Sequence, residues 1–139
     1  MVKKRLLGIF ILLILVFTFV FLLCQHLSIQ KANKSCYTEL HNTITSLTDY
    51  LDSGATEDLS TSINYFLSFK NLYDESSYYS ENFSRTLSSV YYHLLYHDLE
   101  RGDIEQVIHA LEILYDDLEN PDGYEELRLC IEMFLGMYG

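Results

Sequence analysis

The hydrophobic and polar positions of this 139-residue chain follow two different patterns. Residues 6–24 carry no charge and are almost all large and apolar, so a helix drawn through them has no polar face. After residue 30, apolar residues instead recur at intervals of three and four, which is typical of amphipathic helices. The first pattern predicts a helix surrounded by lipid, and the second predicts helices that pack against one another.

The apolar segment has the length and the flanks of a membrane anchor. As a helix, residues 6–24 would extend about 28 Å, close to the thickness of a bilayer's hydrocarbon core. The apolar core is longer than that of most signal peptides, no Ala-x-Ala cleavage site follows it, and Leu23 before Cys24 disfavours a lipoprotein. We therefore expect an uncleaved, single-pass anchor in the cell membrane.

The basic residues around the anchor predict its orientation. Residues 3–5 are Lys-Lys-Arg, whereas the other side has only Lys31 and Lys34, further from the anchor. Because positive charge is retained on the cytoplasmic side, residues 1–5 are expected to be a cytoplasmic tail. Residues 25–139 are then an extracytoplasmic domain.

The remaining pattern predicts an all-α fold with short loops. The expected helices are Gln30 to Leu51, continuous with the anchor and ended by Gly54; Thr56 to Asp74; Tyr79 to Arg101, stopped by Gly102; Asp103 to Glu119; and Tyr124 to Met137. No segment alternates with period two, and the single proline lies in a predicted turn at residues 120–123. The prediction is one N-terminal transmembrane helix followed by a small antiparallel bundle of four to five helices.

The third predicted helix is the most apolar one outside the anchor. Its main stripe is Phe83, Leu87, Val90 and Leu94. Further apolar residues lie on the opposite side: Tyr92, Tyr96 and Leu99. A helix that is apolar on two sides is expected at the centre of a bundle.

The charge of the chain disfavours some classes of ligand. Residues 25–139 contain six basic and twenty acidic side chains, a net charge of −14. Such a domain repels nucleic acid and anionic lipid headgroups. The same charge keeps the domain soluble and favours cationic partners.

Candidate chemistry is sparse. His93 and His97 are four residues apart, the spacing at which two helical imidazoles can share a metal ion. Leu94 stands where a zinc protease has its glutamate, and no third histidine or cysteine lies nearby in sequence. Neither a Gly-x-Ser-x-Gly motif nor a glycine-rich phosphate loop is present, so no enzyme, cofactor or small-molecule substrate is predicted.

Two cysteines lie outside the anchor. Cys36 and Cys130 each share the apolar side of their predicted helix, near the start and the end of the domain. An oxidising compartment would permit a disulfide between them, which requires their α-carbons to lie within about 7 Å. The alternative is two buried free thiols, which pack as small apolar groups.

Together these features favour an interaction module over an enzyme. The predicted protein presents a helical bundle at the outer membrane surface, as an accessory or regulatory partner of another envelope protein. Its twelve tyrosines suit contact surfaces as well as cores. The alternative is a metal-binding protein or metal-dependent enzyme that uses His93, His97 and nearby carboxylates.

Overall fold

Five helices and no strand make up the part of the chain that the structure describes. This computed structural model describes the backbone of residues 1–119 and 122–138, and the side chains of residues 1–119 and 124–133. The helices are α1 (Val2–Ser53), α2 (Thr56–Glu75), α3 (Glu81–Tyr96), α4 (Arg101–Asp116) and α5 (Asp122–Tyr138). The all-α prediction, with a long apolar first helix that leads into a bundle, is confirmed.

The first helix contains the apolar residues 6–24, which we call the anchor segment, and continues without interruption into the first helical element of the bundle. It has 52 residues, about 78 Å at the rise of an α-helix. It ends as predicted at Gly54, whose backbone is left-handed (φ 66°) and whose N–H donates to the Tyr50 carbonyl at 2.8 Å.

The connection between α2 and α3 is ordered by its hydroxyl groups. The phenol oxygen of Tyr73 accepts a hydrogen bond from the Ser80 N–H at 2.8 Å and donates one to the Tyr78 carbonyl at 2.8 Å. The Ser80 side chain caps α3 by accepting from the Phe83 N–H. Asn33 of α1 holds the same loop, since its amide donates to the Ser77 hydroxyl and accepts from the Ser77 N–H.

The predicted boundary between the third and fourth helices is wrong. The third helix ends at Tyr96, not at Arg101, and Gly102 lies inside the first turn of α4 rather than between two helices. The cause is the Asp103 side chain, which accepts a hydrogen bond from the Glu100 N–H at 3.0 Å. Because Glu100 is thereby the residue that precedes α4, residues 97–100 are left to make the connection.

The helices alternate in direction and form a closed ring of neighbours. Within the described residues, α1 contacts α2 and α4, α5 contacts α3 and α4, and α2 contacts α3. The loop at residues 76–80 faces the anchor segment, as its bonds to Asn33 show. The ends of α1 and α3 and the starts of α2 and α4 lie at the opposite end of the bundle, which we call the far end.

The core is apolar and draws on all five helices. Its largest fully buried side chains are Tyr73, Phe66, Phe69, Phe83, Leu40, Leu47, Leu87, Ile104, Leu111, Leu114 and Leu118. The ion pairs formed by Lys70, Arg85, Arg101 and Arg128 each join two residues of one helix. Contact between the helices therefore depends mainly on apolar burial.

The expectation that the third helix is apolar on two buried sides is also wrong. Its main stripe is buried as predicted, but Tyr92 and Tyr96 on the other side are exposed. Among the side chains that the structure describes, those of α4 include the largest number of buried residues of any helix. Its buried residues are Asp103, Ile104, Val107, Ile108, Ala110, Leu111 and Leu114.

The last predicted elements fall partly outside the described residues. Of the turn at residues 120–123, Asn120 and Pro121 lie outside them, while Asp122 already begins α5. Leu127 is buried and Ile131 half-buried, as expected, and the side chain of Phe134 lies outside the described set.

Candidate functional site: the exposed anchor segment and the far-end groove

The apolar segment at residues 6–24 is exposed along its whole length. The exposed fraction of its large apolar side chains runs from 45% at Leu23 to 76% at Phe17. No described part of the chain packs on the most apolar stretch of α1, which by length and composition is suited to cross a membrane. Lipid or another protein must cover so much apolar surface in a stable state.

The join between the anchor segment and the bundle is a short exposed length of the same helix. Residues 25–31 are helical and exposed, and Ala32 is the first buried residue of α1. The helical hydrogen bonds continue through the join, so it has no hinge residue such as a glycine or a proline. The bundle is therefore carried on a continuous helical support.

The structure brings His93 and His97 together as a stacked pair. Their ring centroids are 4.9 Å apart, with 25° between the ring planes. His93 is buried, and its Nδ1 lies 2.8 Å from the Ser89 carbonyl oxygen. Within the described part of the chain, no group of three or more His, Cys, Asp or Glu side chains is placed to hold a metal ion.

The structure does not bring Cys36 and Cys130 together. Both are buried free thiols, and their helices, α1 and α5, do not contact each other. Burial raises the pKa of the Cys36 thiol to about 11, although a hydrogen bond with Ser76 lowers it somewhat. Burial also raises the pKa of Cys130, whose thiol lies 3.7 Å from the Gln106 carbonyl oxygen. Buried, protonated thiols react slowly with oxidants and alkylating agents.

Three adjoining cavities lie at the far end of the bundle. The largest, about 330 Å³, is an open groove between the start of α2 and the end of α3. It shares Leu59, Leu94, His97 and Asp98 with a second cavity of about 240 Å³. A third, of about 170 Å³, continues past Leu99 to Arg101. We call the three together the far-end groove.

The largest cavity is lined by both apolar and polar side chains and has tyrosines at its rim. Leu59 and Ile63 of α2 face Leu94 of α3 across it, while Tyr91, Leu95 and Tyr96 form its α3 side. Leu95 and Tyr96 are exposed, and so is Tyr92, one turn before Tyr96 on the same helix. The Tyr92 and Tyr96 rings stack at 5.9 Å with only 14° between their planes.

The charges around this cavity are mainly negative. Asp98 lines it, Glu57 and Asp58 stand in the first turn of α2 beside it, and Glu100 follows in the α3–α4 connection. Among the described residues that line it, none is lysine or arginine. Arg101 lies further along the groove, where it binds the Glu105 carboxylate and the Leu51 carbonyl.

The sequence pattern assigned the groove's tyrosines to the core. Tyr92, Leu95 and Tyr96 have the three- and four-residue spacing of a helix face, and nothing in that spacing distinguishes a buried face from an exposed one. The sequence Glu100-x-x-Asp103 is a signal that could have placed the start of α4 at Arg101. Because α3 must then end before residue 100, this signal also indicates the connection that lines the groove. Comparison with known proteins found no family model, no curated protein and no solved structure that matches the chain.

Proposed function

We propose that this chain is a single-pass membrane protein that acts by binding, as an accessory or regulatory partner of another envelope protein. In this proposal residues 1–5 are cytoplasmic, residues 6–24 cross the cell membrane, and residues 25–139 are extracytoplasmic. The observation that carries it is the exposed apolar segment of α1, which continues without a break into a folded bundle.

The distribution of charge supports the proposed arrangement. Three basic residues stand directly before the apolar segment, and the domain after it has a net charge of −14. The first feature favours a cytoplasmic N-terminus. The second holds the body of the domain away from anionic headgroups and leaves the far-end groove facing outward, where another protein can reach it.

Accessibility of the two termini to protease tests the topology. In spheroplasts that express the full chain with a tag at each end, added protease should remove the C-terminal tag and leave the N-terminal tag intact. A lysed sample, in which both tags are cut, is the control. A C-terminal tag that survives in intact spheroplasts and is cut only after lysis would contradict the proposed orientation.

Crosslinking in intact cells tests the accessory role. The tagged full chain should be recovered with one particular envelope protein in near-stoichiometric amount. A tagged version of residues 1–31 alone keeps the anchor and lacks the bundle, and it should not recover that protein. Recovery of the same protein by both, or of none by either, would contradict a role that depends on the bundle.

A further inference from the structure

The far-end groove is a surface that the proposed function leaves without a defined ligand. It is contiguous over three cavities and combines the leucine and isoleucine side chains of its floor with polar side chains and an exposed tyrosine, Tyr96. Concave surfaces that combine apolar side chains with a few polar ones are common binding sites in proteins. Tyrosine is also enriched where proteins bind each other.

The charge at the groove selects the kind of partner. Asp98 lines both larger cavities, Glu57 and Asp58 directly follow the lining residue Thr56, and Glu100 directly follows the lining residue Leu99. Acidic and anionic partners are repelled by such a surface, and cationic ones are attracted. The domain's charge of −14 acts in the same direction over a longer range.

The stacked tyrosines favour cationic groups as well. Tyr92 and Tyr96 present nearly parallel rings beside the groove, and the exposed fraction of Tyr96 is 71%. A guanidinium or ammonium group gains from lying over such a ring. Arginine adds planar stacking to this attraction.

From these three features we propose that the far-end groove binds a basic amphipathic segment of another protein. Its apolar side chains occupy the floor formed by Leu59, Ile63 and Leu94, and its Arg or Lys side chains meet Asp98 and the Tyr92–Tyr96 pair. This is recognition of an amphipathic helix or strand by a groove. The inference rests on the proposed function, for which it names the class of partner.

Peptide binding to the full-length protein tests this directly. The protein is placed in phosphatidylcholine nanodiscs, and fluorescence anisotropy follows a labelled amphipathic peptide of leucine and arginine at physiological salt. Two comparison peptides keep the pattern but replace arginine by glutamate, or leucine by serine. The Leu/Arg peptide should bind, and each comparison peptide should bind roughly tenfold more weakly or not at all. Equal binding of the Ser/Arg peptide would overturn the proposal, because it would show simple attraction between opposite charges.

Matched variants locate the binding. Leu95→Ser and Tyr96→Ser alter exposed side chains of the groove, so the bundle should still fold, as circular dichroism can verify. Each should weaken binding of the Leu/Arg peptide roughly tenfold. Leu129→Ser changes a leucine of similar exposure on α5, and it should leave the affinity unchanged. An equal loss in Leu129→Ser, or none in either groove variant, would overturn the proposal.

The charge contribution has its own pair of variants. Asp98→Asn should weaken binding several-fold and reduce its dependence on salt, whereas Glu112→Gln, on the exposed face of α4, should do neither. Equal effects of the two substitutions would assign the attraction to net charge and overturn the role of Asp98.

Crosslinked recovery with the Leu95→Ser protein separates this inference from the proposed function. Loss of the recovered envelope protein supports both. Continued recovery overturns the groove as the binding site and leaves the accessory role standing. Self-association of the protein that Leu95→Ser abolishes would replace the basic segment by a second copy of this chain, and would overturn the proposal as well.

Discussion

The two parts of α1 have the same backbone and opposite surroundings. In residues 6–24 the apolar side chains point in every direction and stay exposed. In residues 32–51 one stripe, at spacings of four, four, three and four, is buried, with half-buried residues beside it and exposed residues on the opposite side. This stripe is Ala32, Cys36, Leu40, Thr43 and Leu47.

This contrast shows that the angular distribution of apolar residues, rather than their number, decides what a helix contacts. A stripe limits contact to one side and suits a bundle. An apolar surface all round cannot be covered by the few neighbours that a small bundle offers, and it suits lipid. Four predictions test this difference between the two parts of α1.

Truncation of a core side chain should have the largest effect. Leu40→Ala removes a fully buried side chain from the bundle part of α1 and should lower the free energy of unfolding by about 2–5 kcal/mol. Leu13→Ala, in the anchor segment of the same helix, should leave the unfolding of the bundle unchanged. Denaturant titration of both proteins in the same mild detergent measures the difference, and equal losses would contradict the division of α1.

A charge in the anchor segment should act on membrane insertion rather than on folding. Ile14→Arg lies near the middle of the segment and should oppose insertion by about 2.5–3.5 kcal/mol. Thr45→Arg, on the exposed face of the bundle part, should have no such effect. The fraction of protein that resists extraction from membranes by alkaline carbonate measures insertion. An Ile14→Arg protein that resists extraction as fully as Thr45→Arg does would contradict this expected cost.

Alkaline pH should destabilise the bundle through Cys36. Burial raises its pKa from 9.0 to about 11, so the unfolded chain loses this proton before the folded chain does. The stabilising difference is intact below about pH 9 and is lost as pH rises towards 11, at about 1.4 kcal/mol per pH unit. The buried Tyr73, whose pKa burial also raises, acts in the same direction.

The Cys36→Ala protein should lose part of this alkaline slope and keep the part due to Tyr73. Cys24→Ala, outside the bundle on the same helix, should behave as the wild type does. Unfolding midpoints measured across this pH range give the slopes, and an unchanged slope in Cys36→Ala would exclude the thiol as a cause.

The smallest expected effect is at the loop that faces the anchor. Asn33→Ala removes both hydrogen bonds to Ser77 and should cost about 1 kcal/mol, since the bonds are exposed. Asn33→Asp keeps an acceptor for the Ser77 N–H and should lose roughly half as much. Hydrogen exchange of the amides at residues 76–80 should rise in the same order. Equal protection in all three proteins would mean that Asn33 does not hold the loop.

The sequence predicted helix positions better than it predicted helix faces. The end of α1 and the start of α2 were correct to within two residues, because Gly54 can adopt the left-handed conformation that ends a helix. Within α1, the periodic spacing of apolar residues includes the buried Leu40 and Leu47, but small or polar residues such as Ala32 and Thr43 are buried as well. Thr43 is tolerated in the core because its hydroxyl donates to the Glu39 carbonyl at 2.7 Å.

Long-range arrangement was the part that sequence could not supply. Cys36 and Cys130 have similar positions on their helices, yet which helices become neighbours depends on the packing of the whole ring. The far-end groove depends on it too, since its walls come from α2 and α3 and its floor continues to α1 and α4. The local periodicity of apolar residues does not indicate which distant segments will contact each other in the fold.

The unbroken helix across residues 25–31 also fixes the direction in which the bundle faces around the α1 axis. Each residue inserted there would rotate the bundle by about 100° around the α1 axis and lift it by about 1.5 Å. One inserted residue would therefore turn the groove by more than a quarter of a full rotation from its present direction. About seven inserted residues would restore the direction of the groove almost fully, and they would move the bundle roughly 10 Å further along the α1 axis. The direction in which the groove faces, relative to the apolar segment of the same helix, is thus set by the number of residues between Cys24 and Ala32.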